Sequence, residues 1–230
     1  MSTIADNISQ VAARIRSAEQ AAQRAANSVQ LLAVSKTKPA AAVREAYAAG
    51  VRDFGENYLQ EALGKQRELT DLPLCWHFIG PIQSNKTRAI AEHFAWVHSV
   101  DRLKIAQRLS EQRPAELPAL NICIQVNVSG EASKSGCTPA DLPALAAAIK
   151  ALPRLTLRGL MAIPEPTDNR AEQDAAFAAV RELNTSLQDS LNLPLDTLSM
   201  GMSHDLESAI AQGATWVRIG TALFGARDYQ

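Results

Sequence analysis

Short apolar or β-rich runs recur eight times along the chain, each separated from the next by a stretch rich in Ala, Leu, Glu and Arg. The runs are LLAVSK (31–36), RDFGEN (52–57), CWHFIG (75–80), WVHSV (96–100), NICIQVNV (121–128), LRGLMAI (157–163), TLSMGMS (197–203) and WVRIGTALFG (216–225). Between them lie segments such as PAAAVREAYAAG, PADLPALAAAIKAL and HDLESAIAQGA, two entered through a proline and two closed by a glycine, as helix ends prefer. Alternating β and α units call for a parallel sheet with right-handed crossovers. Eight such units in 230 residues, close to the length of about 250 usual for this architecture, predict an α/β fold: a (β/α)8 TIM barrel.

The Pro-containing pieces RPAELP (113–118) and IPEPTDN (163–169) are short enough to be rim loops, and no Gly-, Ser- or Pro-rich linker divides the chain. One domain over 1–230 is expected, with a leading helix within 1–29 and the barrel over 30–226. Ile4, Ile8, Val11 and Ile15 recur at helical spacing in residues 4–26, which predicts an amphipathic helix packed on the outside or base of the barrel.

Composition narrows the function classes. A net charge of −1 gives no electrostatic case for nucleic acid or an anionic membrane. The start has no apolar signal-type region and no run approaches the roughly 20 residues of a membrane span, so a cytoplasmic location is expected. Cys75, Cys123 and Cys137 lack CxxC spacing and read as reduced thiols without a metal site. Nothing resembles an obligate interface, and a monomer is the expectation.

In a barrel the C-terminal strand ends converge on one face, so they are read together. The first run ends in Lys36, stopped by Pro39; strand parity puts Leu32, Val34 and Lys36 on one face. An amine directed inward among apolar neighbours is a candidate Schiff-base nucleophile, whereas a solvated loop lysine beside Lys38 is the plainer reading. Loops after strands seven and eight commonly bind phosphate through backbone N–H groups. Ser203, read as a helix N-cap, with Gly220 and Thr221, would form such a cup, provided Asp205 and Glu207 point away. Arg218, between Val217 and Ile219, is directed into the barrel or buried beneath helices, and needs a partner either way. Asn57 could hydrogen-bond a ligand. His77 could pack on a ring or satisfy its nitrogens in the core, Met161 reads more as packing, and Lys86 and Lys134 could screen an anion or be solvated.

Together VSKTKP, FGENY, WHFIGPIQSNK, RGLMAI, SMGMSHDLESAI and VRIGTALFGAR resemble the family of pyridoxal phosphate homeostasis proteins, from about residue 4 to the end. That family is similar to the N-terminal barrel domain of alanine racemase, fold type III. The resemblance implies a pyridoxal 5'-phosphate (PLP) carrier or regulator, with PLP as a Schiff base on Lys36. It further implies Arg218 facing the pyridine nitrogen, Ser203, Gly220 and Thr221 on the phosphate, and Asn57 near the cofactor; PLP-accepting apo-enzymes are the implied partners. Racemisation needs a second base on the opposite face, which alanine racemase takes from a further domain. Here Tyr58, ahead of Tyr47 and Tyr229, is the candidate that keeps a racemase alternative open. A PLP-free barrel using Lys36 on a keto-sugar phosphate is the third possibility.

Overall fold

The computed structural model describes residues 2–132 and 135–226, so Lys134 and Tyr229 lie outside the described residues. Helix α1 (Ile4–Ala21) precedes β1 (Gln30–Val34), α2 (Ala40–Ala48), β2 (Asp53–Glu56), α3 (Leu59–Glu68), β3 (Cys75–Phe78), a 3-10 turn (Ser84–Lys86) and α4 (Thr87–His93). The chain continues with β4 (Trp96–Val100), α5 (Leu103–Gln112), β5 (Leu120–Gln125), α6 (Leu142–Lys150), β6 (Leu155–Met161) and α7 (Arg170–Leu191). It closes with β7 (Thr197–Ser199), α8 (Leu206–Ala211), β8 (Trp216–Ile219) and α9 (Thr221–Phe224). All strand pairs are parallel, and β8 returns to β1 through the register Leu32 to Arg218, closing the barrel in sequence order. All eight expected strands are present; β4 matches its run, and the other seven end short of theirs on the loop side.

Strand parity divides the residues into two sets. Ala33, Phe54, Val97, Ile122, Leu160 and Val217 face outward and join the helices' buried faces in one continuous apolar core. Their sequence neighbours face the lumen, where Leu32, Val34 and Ile79 form one small cluster and Trp96, Cys123 and Met161 another. Each fully buried large apolar side chain contributes on the order of 1.5–3 kcal/mol, so the shell between strands and helices dominates stability.

Helix α1 lies on the outside and ends at Ala21, short of the expected residue 26. Thr3 and Asp6 close it with a reciprocal capping box. Its buried face is Ile8, Val11, Ile15 and Ala18, and the Asn7 side chain donates to the Leu223 carbonyl. Arg14 forms a two-pronged pair with Glu207, while Arg24 donates to the carbonyls of Ile210 and Ala214. The helix therefore straps α8 and α9, which flank the last strand. At the C-terminal rim, Gly80 is required by close approach: a Cβ there would stand 2.5 Å from the Asn57 carbonyl oxygen. That contact draws the ends of β2 and β3 together.

Candidate functional site

Lys36 follows β1 by two residues and is held from both sides by its neighbours' bonds. The Ser35 hydroxyl donates to Glu56 Oε1 at 2.7 Å, and Lys65 Nζ donates both to that oxygen, at 2.7 Å, and to the Ser35 carbonyl, at 2.6 Å. Beyond Lys36, the Thr37 amide donates to Glu61 Oε1, and Lys65 pairs with Glu61 at 2.8 Å. Thr37 has φ +63°, an unfavourable conformation for a β-branched residue, and the Glu61 bond helps hold it. Glu56 and Lys65 are almost wholly buried. Burial pushes the Glu56 carboxyl upward, with the Lys65 ammonium opposing that shift. Glu56, Glu61 and Lys65 were not singled out in the sequence; the four-residue spacing of Glu61 and Lys65 signals a helix pair, but their reach to β1 depends on the barrel register.

Lys36 is half-buried and lines a hollow of about 60 Å3 with Val34, Thr37, Gly220, Thr221 and Gly225. Lys38 donates to the Ala226 carbonyl at 2.7 Å, tying β1's loop to the end of α9. Asn57 follows β2 and lines two further hollows, of about 270 and 380 Å3, the first with Ile79, Gln125 and Ile163 and the second with Tyr58 and Lys86. Its Oδ1 is buried without a hydrogen-bond partner, an energetic cost that a donor on a bound molecule would relieve. A larger hollow, about 700 Å3, lies outside the barrel against α1 and includes none of these residues.

The loop after β7 departs from expectation. The N-cap of α8 is Asp205, not Ser203; the helix starts later because the 202–205 turn closes first, with Asp205 Oδ1 accepting from the Met202 amide at 2.6 Å. Asp205 therefore turns back into the loop instead of away from it, while Glu207 does point away, toward Arg14. The Ser203 carbonyl accepts from Arg14 at 2.9 Å, and Ser203 remains half-buried. Gly220 and Thr221 come together with Lys36 as expected.

Arg218 points into the barrel. Its Nη1 donates to Ser199 Oγ at 2.8 Å and its Nη2 to the Ala162 carbonyl at 3.0 Å, so both bonds go to neutral oxygens in place of a structural carboxylate pair. Burial brings its pKa down to about 10, against the attraction of Asp205; it remains a cation at neutral pH. His77 has both ring nitrogens engaged within the protein, by Asp53 and His98, so it satisfies its nitrogens in the core and offers none to a ligand. Met161 is wholly buried with Trp96 and Cys123 and packs the lumen. His98 and Ser199, which bond each other at 2.7 Å, were not singled out in the sequence. The three cysteines are free; Asp53, Cys75 and His77 place potential ligand atoms within 4.8 Å of one another, a grouping that cysteine spacing does not reveal. Burial, with the Asp53 charge adding to it, raises the Cys75 thiol to about 12.

The fold and the strand-end lysine define an alanine racemase N-terminal-type barrel, and the family model described as Alanine racemase, N-terminal domain matches residues 7–228. The chain belongs to the pyridoxal phosphate homeostasis protein family. It is 80% identical over 229 residues to the pyridoxal phosphate homeostasis protein of Pseudomonas aeruginosa, covering 100% of this chain and 98% of that relative. It is 54% identical over 234 residues to the protein of the same name from Escherichia coli K12, covering 100% and 99%. The structure of PipY from Synechococcus elongatus PCC7942 with PLP bound superimposes with a TM-score of 0.85 at 46% identity, covering 97% of this chain and 100% of that one. Alanine racemase from Corynebacterium glutamicum shares the fold, with a TM-score of 0.71 at 18% identity over 94% of this chain and 61% of the racemase. Among the described residues, no helix is long and apolar enough to cross a membrane.

Proposed function

We propose that the chain binds PLP covalently on Lys36 and serves in PLP homeostasis, holding and releasing the cofactor without catalytic turnover. The observation that carries this reading is the meeting of Lys36, Gly220 and Thr221 around one hollow at the barrel mouth. The orphaned Asn57 amide oxygen at the same rim and the naming of relatives sharing up to 80% identity over the whole chain agree with it. Lys36 is the residue that would hold PLP covalently, its amine being the nucleophile for the electrophilic aldehyde carbon that the cofactor would supply.

This chain's residues supply the rest. Gly220 and Thr221 present backbone amides at the start of α9, suited to a phosphate, with Ser203 assigned to the same group from the neighbouring loop after β7. Arg218 stays protonated and acts only as a donor, so a pyridine nitrogen facing it is kept unprotonated and the ring is a poor electron sink. That sets the site apart from PLP sites that place a carboxylate at the ring nitrogen. Tyr58 is 51% exposed, while Tyr47 lies under the Arg52 guanidinium at 3.9 Å, remote from the mouth in role. The open rim suits exchange of PLP with solvent and with PLP-accepting apo-enzymes.

Purified protein incubated with PLP and desalted is expected to keep a visible absorption band that borohydride bleaches, and Lys36→Ala to lose it. A Lys36→Ala protein with full covalent occupancy would defeat the proposal. Exchange of Cα hydrogen of amino acids in heavy water at enzyme-like rates, abolished in Tyr58→Phe, would install the racemase reading in its place.

A further inference from the structure

The barrel lumen holds an unbroken hydrogen-bonded chain that crosses the molecule. The His77 Nε2 to Asp53 Oδ1 distance is 2.9 Å, His77 Nδ1 to His98 Nε2 is 2.9 Å, His98 Nδ1 to Ser199 Oγ is 2.7 Å, and Arg218 Nη1 to Ser199 Oγ is 2.8 Å. The members come from β2, β3, β4, β7 and β8; β4 and β7 are not neighbours in the barrel, so the His98 to Ser199 bond spans the lumen. Asp53 opens β2 and Cys75 opens β3, which puts this end at the base of the barrel, whereas Arg218 precedes Gly220 at the mouth. His77, His98 and Ser199 are completely buried, while the Asp53 side chain is 29% exposed.

Chemistry at the two ends fixes every proton between them. Arginine only donates and a carboxylate only accepts. Arg218 donates a hydrogen bond to the Ser199 oxygen, leaving the serine hydroxyl to donate to His98 Nδ1. Neutral His98 then carries its hydrogen on Nε2 and donates to His77 Nδ1, and neutral His77 donates from Nε2 to Asp53. Complete burial keeps both imidazoles uncharged at neutral pH: the His98 pKa lies well below its usual value through burial, with the Arg218 charge adding to it, and the His77 pKa is lowered by burial against the pull of Asp53. The rings are held in place by their surroundings, His77 stacking on Trp96 with an interplanar angle of 10° and meeting Trp216 edge-on.

We propose that Asp53, His77, His98 and Ser199 are positioning residues for Arg218, a proton-ordered chain anchored at the base of the barrel that fixes the guanidinium's orientation and charge for a ligand at the mouth. The inference rests on the reading of the mouth as a PLP site, but the proton order belongs to the protein alone. Ser199 is the junction: its hydroxyl converts the neutral imidazole chain into an acceptor for the cation, and without it Arg218 keeps only the Ala162 carbonyl among these two bonds.

Two measurements test it. In the ligand-free full chain at neutral pH, long-range proton–nitrogen correlation spectra of the imidazoles are expected to show neutral His77 and His98, each with its hydrogen on Nε2, with His93 and His204 as references. Hydrogen on Nδ1 of either ring, or an imidazolium, overturns the proton order. A divalent metal held by Asp53, Cys75 and His77 would occupy His77 Nε2 and force its hydrogen to Nδ1, so a spectrum that changes on chelator treatment also overturns it. Asp53→Ala, at the partly exposed base, is expected to mix the His77 tautomers, and an unaltered single tautomer would deny Asp53 its anchoring role.

In the PLP-loaded protein, Ser199→Ala and His98→Gln are expected to shift the visible absorption band and weaken retention about tenfold, the scale of losing a hydrogen bond to a charged group. Ser199→Thr, which keeps the hydroxyl, is expected to restore both. Wild-type band position and retention in Ser199→Ala would reduce the chain to packing and overturn the positioning role. Wild-type protein that retains no PLP overturns the reading of the mouth and Arg218's part in it, while the ligand-free tautomers still decide the proton order separately.

Discussion

The two faces of the same eight strands differ in what they are made of. Outward, Phe54, Val97, Ile122, Leu160 and Val217 meet the helices in a continuous apolar layer; inward, one residue along, lie Asp53, His77, His98, Ser199 and Arg218, bonded end to end. Barrel lumens are commonly filled by layers of bulky branched side chains, so substituting a polar chain sacrifices apolar burial where it would come easily. The arrangement works because each polar atom along the chain is satisfied, which a partly satisfied network would not achieve. The shell holds the barrel shut, and the lumen holds one cation in place near its open end.

Truncating one residue from each face separates the two roles most sharply. Phe54→Ala in the shell is expected to cost about 3–5 kcal/mol, read from denaturant unfolding, with retained PLP affinity in whatever fraction stays folded. Comparable loss, about 3–5 kcal/mol, is expected from Lys65→Met, which leaves Glu56 buried without its cation; this variant should also weaken PLP retention, because Ser35 and Thr37 lose the cluster that holds them around Lys36. A Lys65→Met protein with unchanged unfolding free energy and retention would show that the cluster is incidental. Arg218→Glu, inside the lumen, is expected to change the absorption of bound PLP and weaken retention by at least about tenfold; an unchanged spectrum and affinity would leave Arg218 a structural residue only.

A smaller effect separates the faces through pH. His77 and His98 have pKa values lowered by burial, so the unfolded chain binds more protons than the folded one below about 6.5, and stability falls as pH drops from there toward the lowered folded values. The change in slope between wild type and His98→Gln in urea titrations at several pH values isolates the imidazole from Glu56, whose raised carboxyl acts in the opposite direction in acid. Equal slopes would mean His98 is not held neutral. Smallest of all, Glu207→Gln breaks the Arg14 pair, whose side chains are about two-fifths exposed; it is expected to cost less than about 1 kcal/mol and to leave PLP retention unchanged.

Much of this architecture was legible before any coordinates. The eight runs became eight strands because apolar stretches between helix-forming segments have few other ways to bury both faces, and Lys36, Gly220 and Thr221 met because strand ends of a closed barrel share one rim. Ser203 was misread because the sequence suggested a cap directly after the turn, whereas Asp205 takes the Met202 amide and delays the helix. Of the chain from Asp53 to Arg218, only His77 and Arg218 stood out in the sequence. Its continuity was not, since the His98 to Ser199 bond joins residues 101 apart across the lumen, and only the closed register sets that distance. Glu56, Glu61 and Lys65 were hidden for the same reason: they meet one another around Ser35 and Thr37, just past β1, and no local pattern announces it.

The most direct test of the account is peptide mapping of protein incubated with PLP, reduced with borohydride and digested. The account predicts the cofactor's mass on the peptide containing Lys36, with Lys38, Lys65 and Lys86 unlabelled. Label spread over surface lysines, or absent from the Lys36 peptide, would contradict it.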